Sequence, residues 1–144
     1  MKKLILASFT LLLTGCGFFM SGKWKNDPKN WERAFGEKAP AGIVVHQSYY
    51  ERSPHPIFKE FAYFFEIDDS KTARDYFDFG PTLKLTPLKI AEVDFIRLKD
   101  DRADWFPNAE SRGDLEVWRF QDGPPLYVVI VDKTRRRIFI SDRM

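Results

Sequence analysis

The sequence predicts an α+β fold: an antiparallel sheet of about five strands with two short helices packed on one face, in the order αββαβββ. Three observations lead there. Runs rich in β-branched and aromatic residues recur, the clearest alternating as Phe61, Tyr63, Phe65 and Ile67 against Glu60, Ala62, Phe64 and Glu66. Two short segments place a capping residue just ahead of apolar residues at helical spacing. Clusters of proline, glycine and aspartate separate these runs and supply the turns.

Taken in order, Asp27-Pro28 reads as an N-cap followed by proline at the first helical position, where no amide donor is needed. Trp31, Ala34 and Phe35 then share one face, and Gly36 offers a stop, so a helix is expected over residues 28–35. Residues 43–52 and 57–67 are the first two strands, joined through Ser53-Pro54-His55-Pro56, whose prolines cannot donate to a ladder. On the second strand, Phe61, Tyr63, Phe65 and Ile67 form the expected core face. Ser70 caps a second helix that buries Ala73, Tyr76 and Phe77 and ends at Gly80-Pro81. Residues 82–107 follow no clean period because Pro87 interrupts; a short extended piece is expected at residues 83–85 and a helical turn at 100–104. Residues 115–120, 126–132 and 137–141 are the last three strands, with turns at 121–125 and 132–135.

Ahead of this domain lies a different kind of segment. Lys2 and Lys3 precede an apolar run over residues 4–13, the basic start and short apolar stretch of a secretory signal. The run ends in Leu13-Thr14-Gly15-Cys16, which resembles the lipobox of bacterial lipoproteins. The resemblance implies that residues 1–15 are removed by signal peptidase II and that the Cys16 thiol is diacylglycerated. It also implies that the new amine is commonly acylated, for example with palmitate. The residue after the cysteine influences sorting in that family, and Gly17 leans towards the outer membrane, with the domain facing the periplasm. Residues 16–26 are then the lipidated cysteine and its tether, and residues 27–144 a single globular domain. Two or more chains are needed for stable anchoring, since each buried CH₂ adds about 0.8 kcal/mol and one chain binds only marginally. An uncleaved spanning helix over residues 4–20 is the competing reading, but it sits at the lower edge of spanning length and contains Gly15 and Gly17.

Composition narrows the possible partners. The 23 basic and 21 acidic residues become 21 and 21 once Lys2 and Lys3 leave with the signal, so a nucleic-acid partner is not expected. Cys16 is the single cysteine, which excludes an intramolecular disulfide and leaves the fold to its aromatic-rich core.

Catalytic signatures are sparse. There is no Gly-x-Ser-x-Gly elbow, no phosphate-cradling glycine loop and no His-Glu-x-x-His, and His46 and His55 are the only histidines. The expectation is therefore no enzyme, no cofactor and no metal. Instead we expect a lipid-anchored envelope lipoprotein whose small domain binds another envelope protein. A narrower version is an immunity-like inhibitor of a toxin acting in the periplasm. The enzymatic alternative is a small envelope hydrolase using Glu60 or Glu66 with His46. Candidate partner-binding residues are His55 in the proline loop, Trp105 and Phe106 in an aromatic loop, and Arg135 and Arg136 in the densest basic run. The plainer alternatives are a loop that plugs the core and a charged turn that guards a sheet edge.

Overall fold

The computed structural model describes residues 21–53, 60–77, 85–88, 103–108, 110–111, 113–120 and 128–143. They form an α+β domain dominated by one antiparallel sheet. Its elements in chain order are β1 (Gly22–Lys25), α1 (Asn30–Phe35), β2 (Val45–Arg52), β3 (Phe61–Asp68), α2 (Lys71–Tyr76), β4 (Leu85–Leu88), β5 (Leu115–Phe120), β6 (Val128–Asp132) and β7 (Arg137–Arg143). The spatial order is β1-β2-β3-β7-β6-β5-β4, so among the described residues the sheet has seven strands rather than about five.

Both additional strands are edges. Gly22–Lys25 lies within the expected tether, yet it pairs with β2, setting Gly22 against Arg52 and Lys25 against Tyr49. At the opposite edge lies β4 (Leu85–Leu88), with Pro87 inside it; of the extended piece expected at 83–85, residues 83 and 84 lie outside the described residues. An edge tolerates proline because one side of the strand has no ladder to complete. Every neighbouring pair is antiparallel. It follows that β3 and β4 run the same way, and the chain between them must return across the sheet. Helix α2 lies on that return path.

Local signals account for the helix ends. Ser70 is extended, and its hydroxyl accepts the Ala73 amide at 3.1 Å, starting α2 where the sequence places it. Gly36 closes α1 in the left-handed region at φ 77°, its amide reaching the Glu32 carbonyl. The start of α1 differs from expectation. Asp27 caps not the helix but a preceding turn, its Oδ1 accepting the Lys29 amide at 2.8 Å, and the helix begins at Asn30.

Both helices pack on one face, as expected. Trp31, Phe35, Ala73, Tyr76 and Phe77 cover Tyr63, Phe65, Ile67 and the inward residues of β6 and β7. Trp31 and Phe65 meet edge to face at 5.3 Å, a favoured arrangement for large rings. The other face is not the solvent face that the alternation in β3 suggests. Phe64 is 0% exposed there, beneath Phe106 and beside Tyr49, Ile130 and Phe139. Central strands β3, β6 and β7 are thus buried on both sides, which is why β6 opens with an unbroken apolar run, Val128 to Val131.

Candidate functional site

The strands give the sheet two distinct ends. Gly22, Arg52, Phe61 and Arg143 lie at one, the end the chain enters from residues 17–21. Lys25, Val45, Asp68, Arg137 and Asp132 lie at the other. This second end concentrates the charged chemistry.

A β-bulge initiates it. Val45 opposes Ile67 while Gln47 opposes Glu66, so His46 is the inserted residue in β2. A bulge re-aims the side chain it carries. Here it brings His46 Nε2 to 2.8 Å from Asp68 Oδ1, the imidazole N–H donating. The same oxygen accepts Arg137 Nη1 at 2.6 Å, while Arg137 Nε lies 3.4 Å from Glu66. Gln47 donates to the second Glu66 oxygen at 2.9 Å. One guanidinium therefore bridges two carboxylates of β3, flanked by an imidazole and an amide from β2. The His46 hydrogen bond, assisted by the Arg137 charge, holds the Asp68 carboxyl below its ordinary range. Beside it Asp69 grips Arg74 through both oxygens, at 2.6 and 2.8 Å, and is likewise held low.

The β6–β7 turn completes this end. Asp132 Oδ1 accepts the Arg135 amide at 2.9 Å, and the four residues 133–136 close the hairpin. Arg136 sits in the left-handed region at φ 54°. Its carbonyl accepts the Asp69 amide at 3.0 Å and Arg137 Nη1 at 3.3 Å, so the residue just past β3 and the first residue of β7 clamp the turn. Residues 68–71 and 135–137 enclose an open cleft of about 500 Å³. Val44 and Val45, the exposed large apolar residues, flank the same end at 48% and 36% exposure.

The expected site residues are not gathered together. Arg135 and Arg136 are in the turn, exposed. Phe106 is 2% exposed and meets Phe64 edge to face at 5.2 Å, so it fills the second core and does not offer a partner a surface. Trp105 is half-buried against it. His55, Cys16 and the Leu13-Thr14-Gly15 motif lie outside the described residues. Of the hydrolase trio, Glu66 and His46 share one network, but Glu60 precedes β3 at its other end. Asp68, Asp69 and Arg74 were not legible as site residues. An Asp-Asp pair ahead of a capping serine is ordinary in sequence, and its partner Arg137 is 69 residues away.

These features define a seven-stranded antiparallel α+β sheet with two short helices on one face and an ion-paired, arginine-bearing end. No family profile, no curated protein and no solved structure matches the chain.

Proposed function

We propose that this chain is a lipid-anchored envelope lipoprotein whose domain binds another envelope protein without catalysis. The observation that carries the reading is the way strand β1 begins six positions after Cys16. Only residues 17–21 separate the lipid-bearing position from the sheet, a reach of about 18 Å at most. A domain held that closely works at the membrane surface, where its partner must also be. The charged end supports binding over catalysis. His46 and Asp68 are tied to one another and to Arg137, and Glu60 stands apart from Glu66, so an acid and a base are not poised across a common pocket.

The test is made in intact cells. Cys16→Ala should move the chain from the membrane to the soluble fraction; unchanged membrane association would favour the spanning helix. A photo-crosslinking residue at exposed Thr134 should yield one discrete adduct with an envelope protein. A smear of abundant proteins, the same as from a crosslinker at Glu32 on the helix face, would count against a specific partner.

A further inference from the structure

We infer that the cleft beside the β6–β7 turn docks an acidic segment of the partner protein on the side facing away from the membrane, with Arg136 as its central contact. This deepens the proposed function and rests on it for its direction.

Charge pairing singles out Arg136. Each other cation around the cleft has an acid of its own: Arg135 lies 3.5 Å from Asp132, Arg137 binds Asp68, and Arg74 holds Asp69. Lys71 pairs with Asp75, and Lys133 with Glu116. Arg136 makes no ion pair among the described residues. Asp69, whose carboxyl feels the Arg136 charge, is held in a two-bond grip by Arg74. The cleft lining carries four cations, Lys71, Arg135, Arg136 and Arg137, against the two carboxylates Asp68 and Asp69, and both carboxylates are already engaged from within. A guanidinium recognises carboxylates through paired N–H donors.

The backbone points the same way. Arg136 holds a left-handed conformation that glycine adopts without steric cost, yet an arginine is there. The amide of Asp69 and the side chain of Arg137 both bind its carbonyl, so the guanidinium projects from a clamped base. The turn backbone that carries it therefore needs no reordering on binding.

Topology selects a protein partner over a lipid headgroup. The chain enters the sheet at Gly22, at the end shared with Arg52 and Arg143, whereas the turn lies beyond Arg137 at the far end of β7. Seven residues of strand separate these ends, about 23 Å at ~3.3 Å per residue. The short link attaches at the opposite end of the sheet, so a sheet standing on the bilayer presents the turn outward. A cleft of about 500 Å³ also exceeds what one carboxylate fills, and suits several side chains of a docked segment.

The test uses the full chain in phosphatidylcholine nanodiscs and a fluorescein-labelled glutamate-rich peptide, followed by anisotropy. Saturable binding that weakens with added salt is expected. Arg136→Gly should weaken it about tenfold while the melting temperature stays level or rises, because glycine relieves the left-handed turn. Arg136→Lys should retain most of the affinity. Equal binding by Arg136→Gly, or no saturation in the wild-type chain, would overturn the docking surface. So would Arg136-dependent capture of phosphatidylglycerol vesicles that the peptide fails to displace, which would make the turn a lipid contact. The anchor is tested apart from this: Cys16→Ala that still binds peptide but stays on membranes would overturn the outward direction alone.

Discussion

Replacing Asn30 by alanine should loosen β1 from the sheet before anything else unfolds. Asn30 is 0% exposed in the first turn of α1. Its amide donates to the Trp24 carbonyl at 2.9 Å and to the Ser48 hydroxyl at 3.1 Å, while its oxygen accepts Arg33 Nη1 at 2.8 Å. One side chain thereby joins β1, β2 and α1. Asn30→Ala leaves the Ser48 hydroxyl buried without this donor, a loss of about 2 kcal/mol, and the less buried Trp24 carbonyl adds about 1 kcal/mol. Arg33 retains Asp27 at 3.0 Å and its stacking over Trp24 at 4.6 Å, so its contribution is small. Alanine recovers a few tenths of a kcal/mol in helix propensity. The expected net loss is therefore about 2–3 kcal/mol, a large part of the roughly 5–15 kcal/mol of a domain. Urea unfolding of the chain expressed without its first sixteen residues measures the total, and amide exchange of Trp24, whose N–H faces β2 in the ladder, reads β1 locally. If β1 frees, the link to Cys16 grows from residues 17–21 to residues 17–26, and its maximum reach rises from about 18 to about 35 Å. A loss under about 0.5 kcal/mol with unchanged β1 protection would refute the idea that Asn30 ties the edge down.

Three further outcomes follow from the same geometry. Phe64→Ala should lower unfolding free energy by about 3–5 kcal/mol in urea, the cost of a large core truncation; a change within about 0.5 kcal/mol would restore Phe64 to a solvent face. Ser70→Ala removes the cap bond to Ala73 and should cost about 1 kcal/mol by the same assay, with the loss confined to α2 in amide exchange. For pH, the carboxylates split by sign. Burial raises the folded pKa of Asp142 above the ordinary 3.8, so its contribution to stability is present below that value and lost as pH rises through the folded one. Asp142→Asn should therefore raise the melting temperature at neutral pH and leave it unchanged near pH 3. Asp68 and Asp69 are shifted down, so they stabilise above 3.8 and lose that contribution as pH falls through their folded values. In melting curves against pH, Asp68→Asn should be destabilising at pH 7 and neutral in strong acid.

Several elements were legible before any coordinates. The Ser70 cap, the Gly36 stop and the strand Leu115–Phe120 fall where composition and period put them. The site was far less legible. His46 and Glu66 were visible as candidates, but the bulge that aims His46 at Asp68 has no signature in β2 alone, because it is a mismatch between two strands. Trp105-Phe106 reads equally well as a surface or a plug until Phe64 and Phe139 are seen beneath it. Gly22–Lys25 reads as linker in sequence because it is short, lysine-rich and half-exposed, a pattern shared with a protected edge strand.

By itself, the sequence determined what neighbours along the chain can settle: the alternation in β3, the caps and the turn residues. Each depends on contacts a few residues apart, which a local pattern records directly. Tertiary structure alone decided that β7 lies between β3 and β6, that Ala62 faces Arg143, and that the sheet is covered on both sides. It also decided that the arginine turn sits at the end of the sheet opposite Gly22. Those outcomes come from strands pairing across long stretches of chain, where many registers satisfy the same local pattern and only joint burial of both faces selects one.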